Sequence, residues 1–177
     1  MKKLIYIFIP ICFLCIKCAA QTKLMPGIIK GKRETFSVQR IERKFSDSPR
    51  EIIVTNKRNK YDNGLPVPKE PNFIRMNPKD IHLDTIEIRK VVYRVMADKI
   101  NILKQNKEKI SIGMVFKPSG SVVDIWFTLN ENTLITATEM ERLDNELRTS
   151  IIARFTGKQY LKYEAIPGNI IPPVTFQ

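Results

Sequence analysis

The clearest hydrophobic pattern in the chain is a pair of alternating stretches between Lys109 and Leu129, where the sequence reads KISIGMVFKPSGSVVDIWFTL. Large apolar residues occupy every second position of the first stretch: Ile110, Ile112, Met114 and Phe116. After the turn residues Pro118-Ser119-Gly120, the second stretch alternates Val123, Ile125, Phe127 and Leu129 with Val122, Asp124, Trp126 and Thr128. A period of two is typical of half-buried strands, so the pattern predicts a β-hairpin.

A helix is predicted on each side of this hairpin. The first begins at Asp84, which can cap the first turn while Glu87, three residues on, reaches back. The second begins at Thr136, with Glu139 in the same relation, and Gly157 offers a left-handed stop. Each helix carries an apolar stripe at helical spacing: Ile88, Val91, Val92, Val95, Met96, Ile100 and Leu103 in the first, and Met140, Leu143, Leu147, Ile151 or Ile152, and Phe155 in the second. Each helix is therefore expected to bury one face.

The last apolar segment runs from Ile170 to Phe176 and predicts a final strand. Pro172 and Pro173 cannot donate backbone hydrogen bonds, so this strand is expected to be short or to lie at a sheet edge. The element order over residues 76–177 is then helix, strand, strand, helix, strand. We therefore predict an α+β, two-layer domain in which two helices pack on one face of a small antiparallel sheet.

Residues 1–20 have the pattern of a signal peptide. Lys2 and Lys3 precede an apolar run from Leu4 to Ile16, which is shorter than the roughly 20 residues that span a bilayer. Small residues at Cys18 and Ala20 suit cleavage before Gln21. We therefore expect an exported protein, periplasmic or secreted, with no transmembrane span in the mature chain. Lipoprotein anchoring at Cys18 is a less favoured alternative, because the preceding Cys15-Ile16-Lys17 fits the lipidation pattern poorly. An uncleaved membrane anchor is the other less favoured alternative, because the apolar run is short.

The three cysteines, Cys12, Cys15 and Cys18, all lie within this signal segment. The mature chain is therefore expected to have no disulfide and no thiolate nucleophile or metal ligand. The sole histidine is His82, just before the first helix, and no metal-binding or phosphate-binding motif is present. We predict no cofactor, no metal site and no catalytic residues.

Residues 21–75 form a basic arm rich in Asn and Pro, with thirteen Lys and Arg against six Asp and Glu. Strands are predicted at 35–45 and at Glu51 to Asn56, and the sequence leaves open whether they join the sheet. Six basic residues are candidates for binding an anionic glycan or lipid: Lys30, Lys32, Arg33, Lys57, Arg58 and Lys60. Export argues against nucleic acid as the partner of these charges.

The hairpin sequence MVFKPSGSVVDIWF resembles the C-terminal domain family of TonB, over about half of the chain. The matching positions are Gly120, Val122, Asp124, Ile125 and Phe127, then Arg154-Phe155, then Val174-Thr175-Phe176. Thr156 stands where the family usually has proline, no Tyr-Pro pair precedes the first strand, and no long proline-rich spacer precedes the domain. The resemblance therefore implies a small exported relative of a type familiar in Bacteroidetes-like bacteria, and not the energy transducer itself. It also implies a sheet edge that accepts a strand from another protein.

These observations favour a non-catalytic binding or scaffold protein of the cell envelope, whose partner is an envelope protein. Six residues are the candidate contacts, on the final strand or on the second face of the hairpin: Val122, Trp126, Ile170, Ile171, Val174 and Phe176. The alternative is a protein that binds an anionic glycan or lipid through its basic arm. A hydrolase with an unrecognised carboxylate site is a remote third hypothesis.

Overall fold

The strands and helices of this protein form an α+β fold, seen in a computed structural model that describes residues 23–42, 49–62, 64–66, 76–168 and 171–177. The strands are β1 Gly27–Lys30, β2 Thr35–Arg40, β3 Glu51–Asn56, β4 Ile81–His82, β5 Lys109–Phe116, β6 Val122–Asn130, β7 Arg154–Phe155, β8 Ile166–Pro167 and β9 Val174–Thr175. The α-helices are α1 Thr85–Val95, α2 Ile100–Gln105 and α3 Ala137–Ser150. The predicted signal segment, residues 1–20, lies outside the described residues.

Seven of the described strands belong to one antiparallel sheet. Its order is β1, β2, β3, β6, β5, β8, and β9 pairs with β5 beside β8. The predicted two-layer α+β fold is confirmed, and the sheet is larger than the hairpin and final strand alone. Three of the extra strands, β1, β2 and β3, come from residues 27–56, and the fourth is β8. The basic segment therefore joins the sheet through the pairing of β3 with β6.

The predicted hairpin is confirmed as β5 and β6, with one change in register. Gly113 lies opposite Trp126, and this register holds up to the pair Val115 and Asp124. It then shifts by one residue, because Phe116 pairs with Val122. Such a shift turns the following side chain to the other face of the sheet. Val122 therefore lies in the core and not on the face that carries Trp126.

The two predicted capped helix starts are also confirmed. The Asp84 side chain accepts a hydrogen bond from the Glu87 backbone at 2.8 Å, and Thr136 forms a capping box with Glu139. The first helix is not continuous, because the 3₁₀ turn Ala97–Lys99 separates α1 from α2. No helix in the described part of the chain is long and apolar enough to cross a membrane.

Helix α3 ends at Ser150 and not near Gly157 as the sequence predicts. Ile151 is already extended, and Ala153 donates a backbone hydrogen bond to Gly120 at 2.9 Å. Phe155 then pairs with Ile81 in the small sheet of β4 and β7. Apolar spacing suggested more helix, but these backbone partners hold the segment extended.

The core lies between α1, α3 and one face of the sheet. Its fully buried side chains come from the N-terminal strands, the hairpin and the helices: Phe36, Ile52, Val54, Ile88, Val92, Phe116, Ile125, Phe127, Leu143 and Leu147. Burying a side chain of this size contributes about 1.5–3 kcal/mol relative to leaving it exposed. Strands β2 and β3 therefore contribute directly to the same core as the helices.

Buried charged and amide side chains hold the end of β3 and the residues just after it against helix α3 and strand β6. Asp144 is fully buried and accepts hydrogen bonds from Asn56 at 3.0 Å, from Arg148 at 3.1 Å and from Arg58. Asp124 on β6 accepts the backbone amides of residues 60 and 61 at 2.8 and 2.7 Å. Every buried oxygen in this group has a donor, as a buried carboxylate requires.

Replacing Asp144 by alanine is expected to lower the free energy of unfolding by about 3 kcal/mol, because the amide of Asn56 and the partly buried guanidinium of Arg148 lose their acceptor. Urea unfolding followed by circular dichroism measures this change. Arg142→Ala is the matched control, since Arg142 is exposed on the same helix, and it should change stability by less than about 0.5 kcal/mol. Equal effects of the two variants would contradict this role for Asp144.

Candidate functional site

The two edges of the main sheet differ in how they are covered. On the β5 side, β8 pairs with Val115 and Phe116, while β9 pairs with Lys109 and Ile110. Between these pairings, the Gly168 amide donates to the Met114 carbonyl at 2.8 Å. The chain's own C-terminal segment therefore occupies this edge, and its prolines lack the amides that an added strand would need.

The opposite edge is formed by β1, and no other strand of the described residues pairs with its outer side. The turn between β1 and β2 shows which residues of β1 bond to β2, because the Gly31 amide donates to the Glu34 carbonyl at 2.9 Å. In an antiparallel pair, every second residue bonds to the neighbouring strand and the residues between face away. Ile28 and Lys30 therefore direct their amides and carbonyls outward from the sheet.

The surroundings of this edge are basic and partly apolar. Ile28 is 63% exposed and Met25 is 61% exposed. Residues 23–33 contain four basic residues and no Asp or Glu: Lys23, Lys30, Lys32 and Arg33. All four are exposed, and none of their side chains forms an ion pair with another described residue. We call the outer side of β1 together with these cations the basic edge.

Most of the predicted partner-contact residues belong to the core. Ile171, Val174 and Phe176 are each 5% exposed or less, because β9 closes over the sheet edge. Val122 is buried by the register shift between β5 and β6. Ile170 lies outside the described residues. Among the described members of this set, Trp126, at 37% exposure, is the one that reaches the surface.

The six predicted anion-binding residues fall into two groups. Arg58 forms ion pairs with Glu34, at 2.9 Å, and with Asp144. Lys60 forms an ion pair with Glu164 at 3.0 Å. The other four remain exposed: Lys30, Lys32, Arg33 and Lys57. Lys30 pairs with Thr35, whose carbonyl accepts the Lys57 amide at 2.8 Å, so these two lysines flank Thr35 in one row. Sequence spacing alone did not reveal which cations were already paired.

His82 lies beside a hydroxyl and a carboxylate, but not in the order of a nucleophilic triad. Its Nε2 is 3.4 Å from the Thr156 hydroxyl, which donates to Asp80 at 3.1 Å. In a triad the imidazole stands between the hydroxyl and the carboxylate, so that it can take the proton. Here the hydroxyl stands in the middle. No group of three or more potential metal ligands occurs in the part of the chain that the structure describes.

Comparison with known proteins shows a structural neighbour. No protein-family model and no curated protein matches the sequence. The crystal structure of a DUF5043 family protein from Bacteroides uniformis ATCC 8492 is similar, with a TM-score of 0.61 over 85% of this chain and 92% of that chain. The two sequences are 13% identical, so the likeness shows the fold alone.

Replacing Lys60 by methionine is expected to raise the pKa of Glu164. The hydrogen bond from Lys60 is the main cause that holds this pKa below its ordinary value, and a second comes from the Tyr61 hydroxyl at 2.8 Å. The bonds of ionised Glu164 to Lys60 and Tyr61 stabilise the folded protein at neutral pH. This stabilisation is lost as the pH falls through the lowered pKa of Glu164. Both groups are exposed, so its effect on stability is small and screened by salt.

Side-chain NMR titration of Glu164 measures this change. Lys57→Met is the matched control, because it removes an equal charge that is not bonded to Glu164. An ordinary pKa of Glu164 in the unmodified protein, or the same pKa in both variants, would contradict the assigned hydrogen bond.

Proposed function

We propose that this chain is an exported, non-catalytic binding protein of the cell envelope that accepts an extended, acidic segment of another protein as an added strand on β1. The observation that carries the proposal is the basic edge, where a strand with outward backbone groups is surrounded by unpaired cations. Strand addition at an exposed sheet edge is a recurring mode of peptide recognition. The occupied β5 edge offers fewer backbone donors for the same purpose.

The backbone contribution alone gives weak binding. Ile28 and Lys30 together present two amides and two carbonyls, and a net hydrogen bond contributes about 0.5–1.5 kcal/mol. Four such bonds amount to roughly 4 kcal/mol, which corresponds to a dissociation constant near 1 mM. Tighter binding therefore requires contacts from side chains, and Met25 and Ile28 are exposed beside the edge.

Charge selects the kind of strand that the edge accepts. Lysine on an edge strand discourages pairing with a second copy of the same edge, because like charges then meet. The same charges attract a strand that carries Asp or Glu, and they speed its encounter with the edge. The basic edge therefore favours an acidic partner over self-association.

Two lines of sequence evidence support the envelope as the setting. The pattern of residues 1–20 is that of an export signal. The resemblance to the C-terminal domain family of TonB, a protein of Gram-negative envelopes, implies a sheet edge that accepts a strand from another protein. A non-catalytic role is supported by the arrangement at His82, where the hydroxyl separates the imidazole from the carboxylate.

Binding of an anionic glycan or lipid is the second candidate function. The row of Lys30, Thr35 and Lys57 favours it, since it places two unpaired cations close together. A flexible polyanion would need these charges but would not need the backbone groups of β1. The two candidates therefore differ in their dependence on the Ile28 amide.

Replacing Ile28 by proline is expected to weaken binding of a fluorescein-labelled alternating Glu-Val peptide of nine residues by roughly five- to tenfold, because one outward donor is removed. The proline should leave pairing with β2 intact, since the Ile28 amide faces away from β2. Fluorescence anisotropy measures the affinity, and circular dichroism checks the fold. Affinity should also fall as salt is raised.

Ile28→Ala is the matched control, because it shortens the side chain but keeps the amide. It should weaken binding less than the proline variant does. A Lys-Val peptide of the same length should not bind. If the Ile28→Pro variant bound the Glu-Val peptide as tightly as the unmodified protein does, strand addition would be contradicted. If dextran sulfate then inhibited binding of the peptide, the polyanion candidate would be favoured.

A further inference from the structure

A shallow groove lies on the outer face of the sheet, opposite the helices, next to the C-terminal segment. Its volume is about 190 Å³, and six residues form most of its walls: Ser111, Gly113, Trp126, Thr128, Ile171 and Pro173. Pockets that enclose a whole small molecule usually measure about 300–1,000 Å³. This groove therefore suits one ring of a longer ligand that continues along the surface.

The floor of the groove is a tryptophan ring held flat against the sheet. Trp126 lies directly opposite Gly113, and a Cβ atom at Gly113 would be 2.0 Å from the indole Cε2 and 2.2 Å from Cζ2. Only glycine therefore allows the indole to lie over the β5 backbone. One face of the ring rests on Gly113 while the side chain stays 37% exposed, so the aromatic surface is fixed before any ligand binds.

The described walls of the groove supply hydrogen-bonding groups and no charged side chain. Of the described residues that line it, none is ionisable. The hydroxyls of Ser111 and Thr128 and the indole N–H form no hydrogen bond with any other described residue. A fixed aromatic face with nearby neutral donors and acceptors matches a sugar ring, which presents C–H groups on its face and hydroxyls at its rim.

We propose that this groove binds one neutral sugar ring of a glycan, with the ring stacked on Trp126 and its hydroxyls bonded to Ser111 and Thr128. The site is separate from the basic edge. Trp126 is on β6, three strands from β1, which corresponds to about 14 Å across the sheet. Because none of the described residues that line the groove is ionisable, we expect its binding to be independent of the acidic strand proposed for β1.

Intrinsic fluorescence tests this proposal directly, because Trp126 is the only tryptophan of the chain. The full mature protein is titrated with cellohexaose, maltohexaose and chitohexaose. At least one of these neutral sugars should change the emission in a saturable way, and added salt should leave the affinity unchanged. No change with any of the three, up to about 10 mM, would overturn the proposal.

Variants then locate the binding by calorimetry. Trp126→Ala should abolish it, and Thr128→Val, which keeps the shape but removes a hydroxyl, should weaken it roughly three- to tenfold. Ile28→Pro should bind the sugar like the unmodified protein, so failure at one site is distinguishable from failure at the other. Sugar binding that persists in Trp126→Ala would overturn the assignment of the groove as a sugar site. A change in Trp126 fluorescence with the Glu-Val peptide but with none of the three sugars would overturn it as well.

Discussion

The pairing of β3 with β6 is the interaction on which the rest of the structure depends. It joins residues 27–56 to the hairpin, so that the N-terminal strands and the C-terminal helices share one core. The buried Asp144 reinforces this junction, because it binds Asn56 at the end of β3 and Arg58 just beyond it. Without this junction, β1 would have no sheet to extend and would present no defined edge.

Local sequence patterns predicted the parts of the fold that depend on neighbouring residues. The alternation in β5 and β6 and the capping residues Asp84 and Thr136 are short-range signals, and the structure confirms them. The partner of β3 was not predictable, because pairing with β6 joins residues about 75 positions apart and depends on the whole core. The shift that buries Val122 also escaped prediction, since it changes the periodicity at one position.

The candidate surfaces also combine features that the local sequence predicted with features that depend on the whole fold. Trp126 was predicted as a contact residue and is exposed, whereas Val174 and Phe176 are buried by the closure of the β5 edge. A list of basic residues did not distinguish Arg58, which neutralises buried Asp144, from Lys30, which remains exposed. The basic edge itself was missed because β1 has only four residues and no clear alternation.

Native-state hydrogen exchange tests most directly the claim that residues 27–56 are an integral part of the sheet. We expect core amides of β3 to exchange only by global unfolding, with the same free energy as those of β5 and β6. Exchange of the β3 amides at a much lower free energy, while β5 and β6 stay protected, would contradict it. The N-terminal strands would then be a loosely attached arm and β1 would not provide a stable edge.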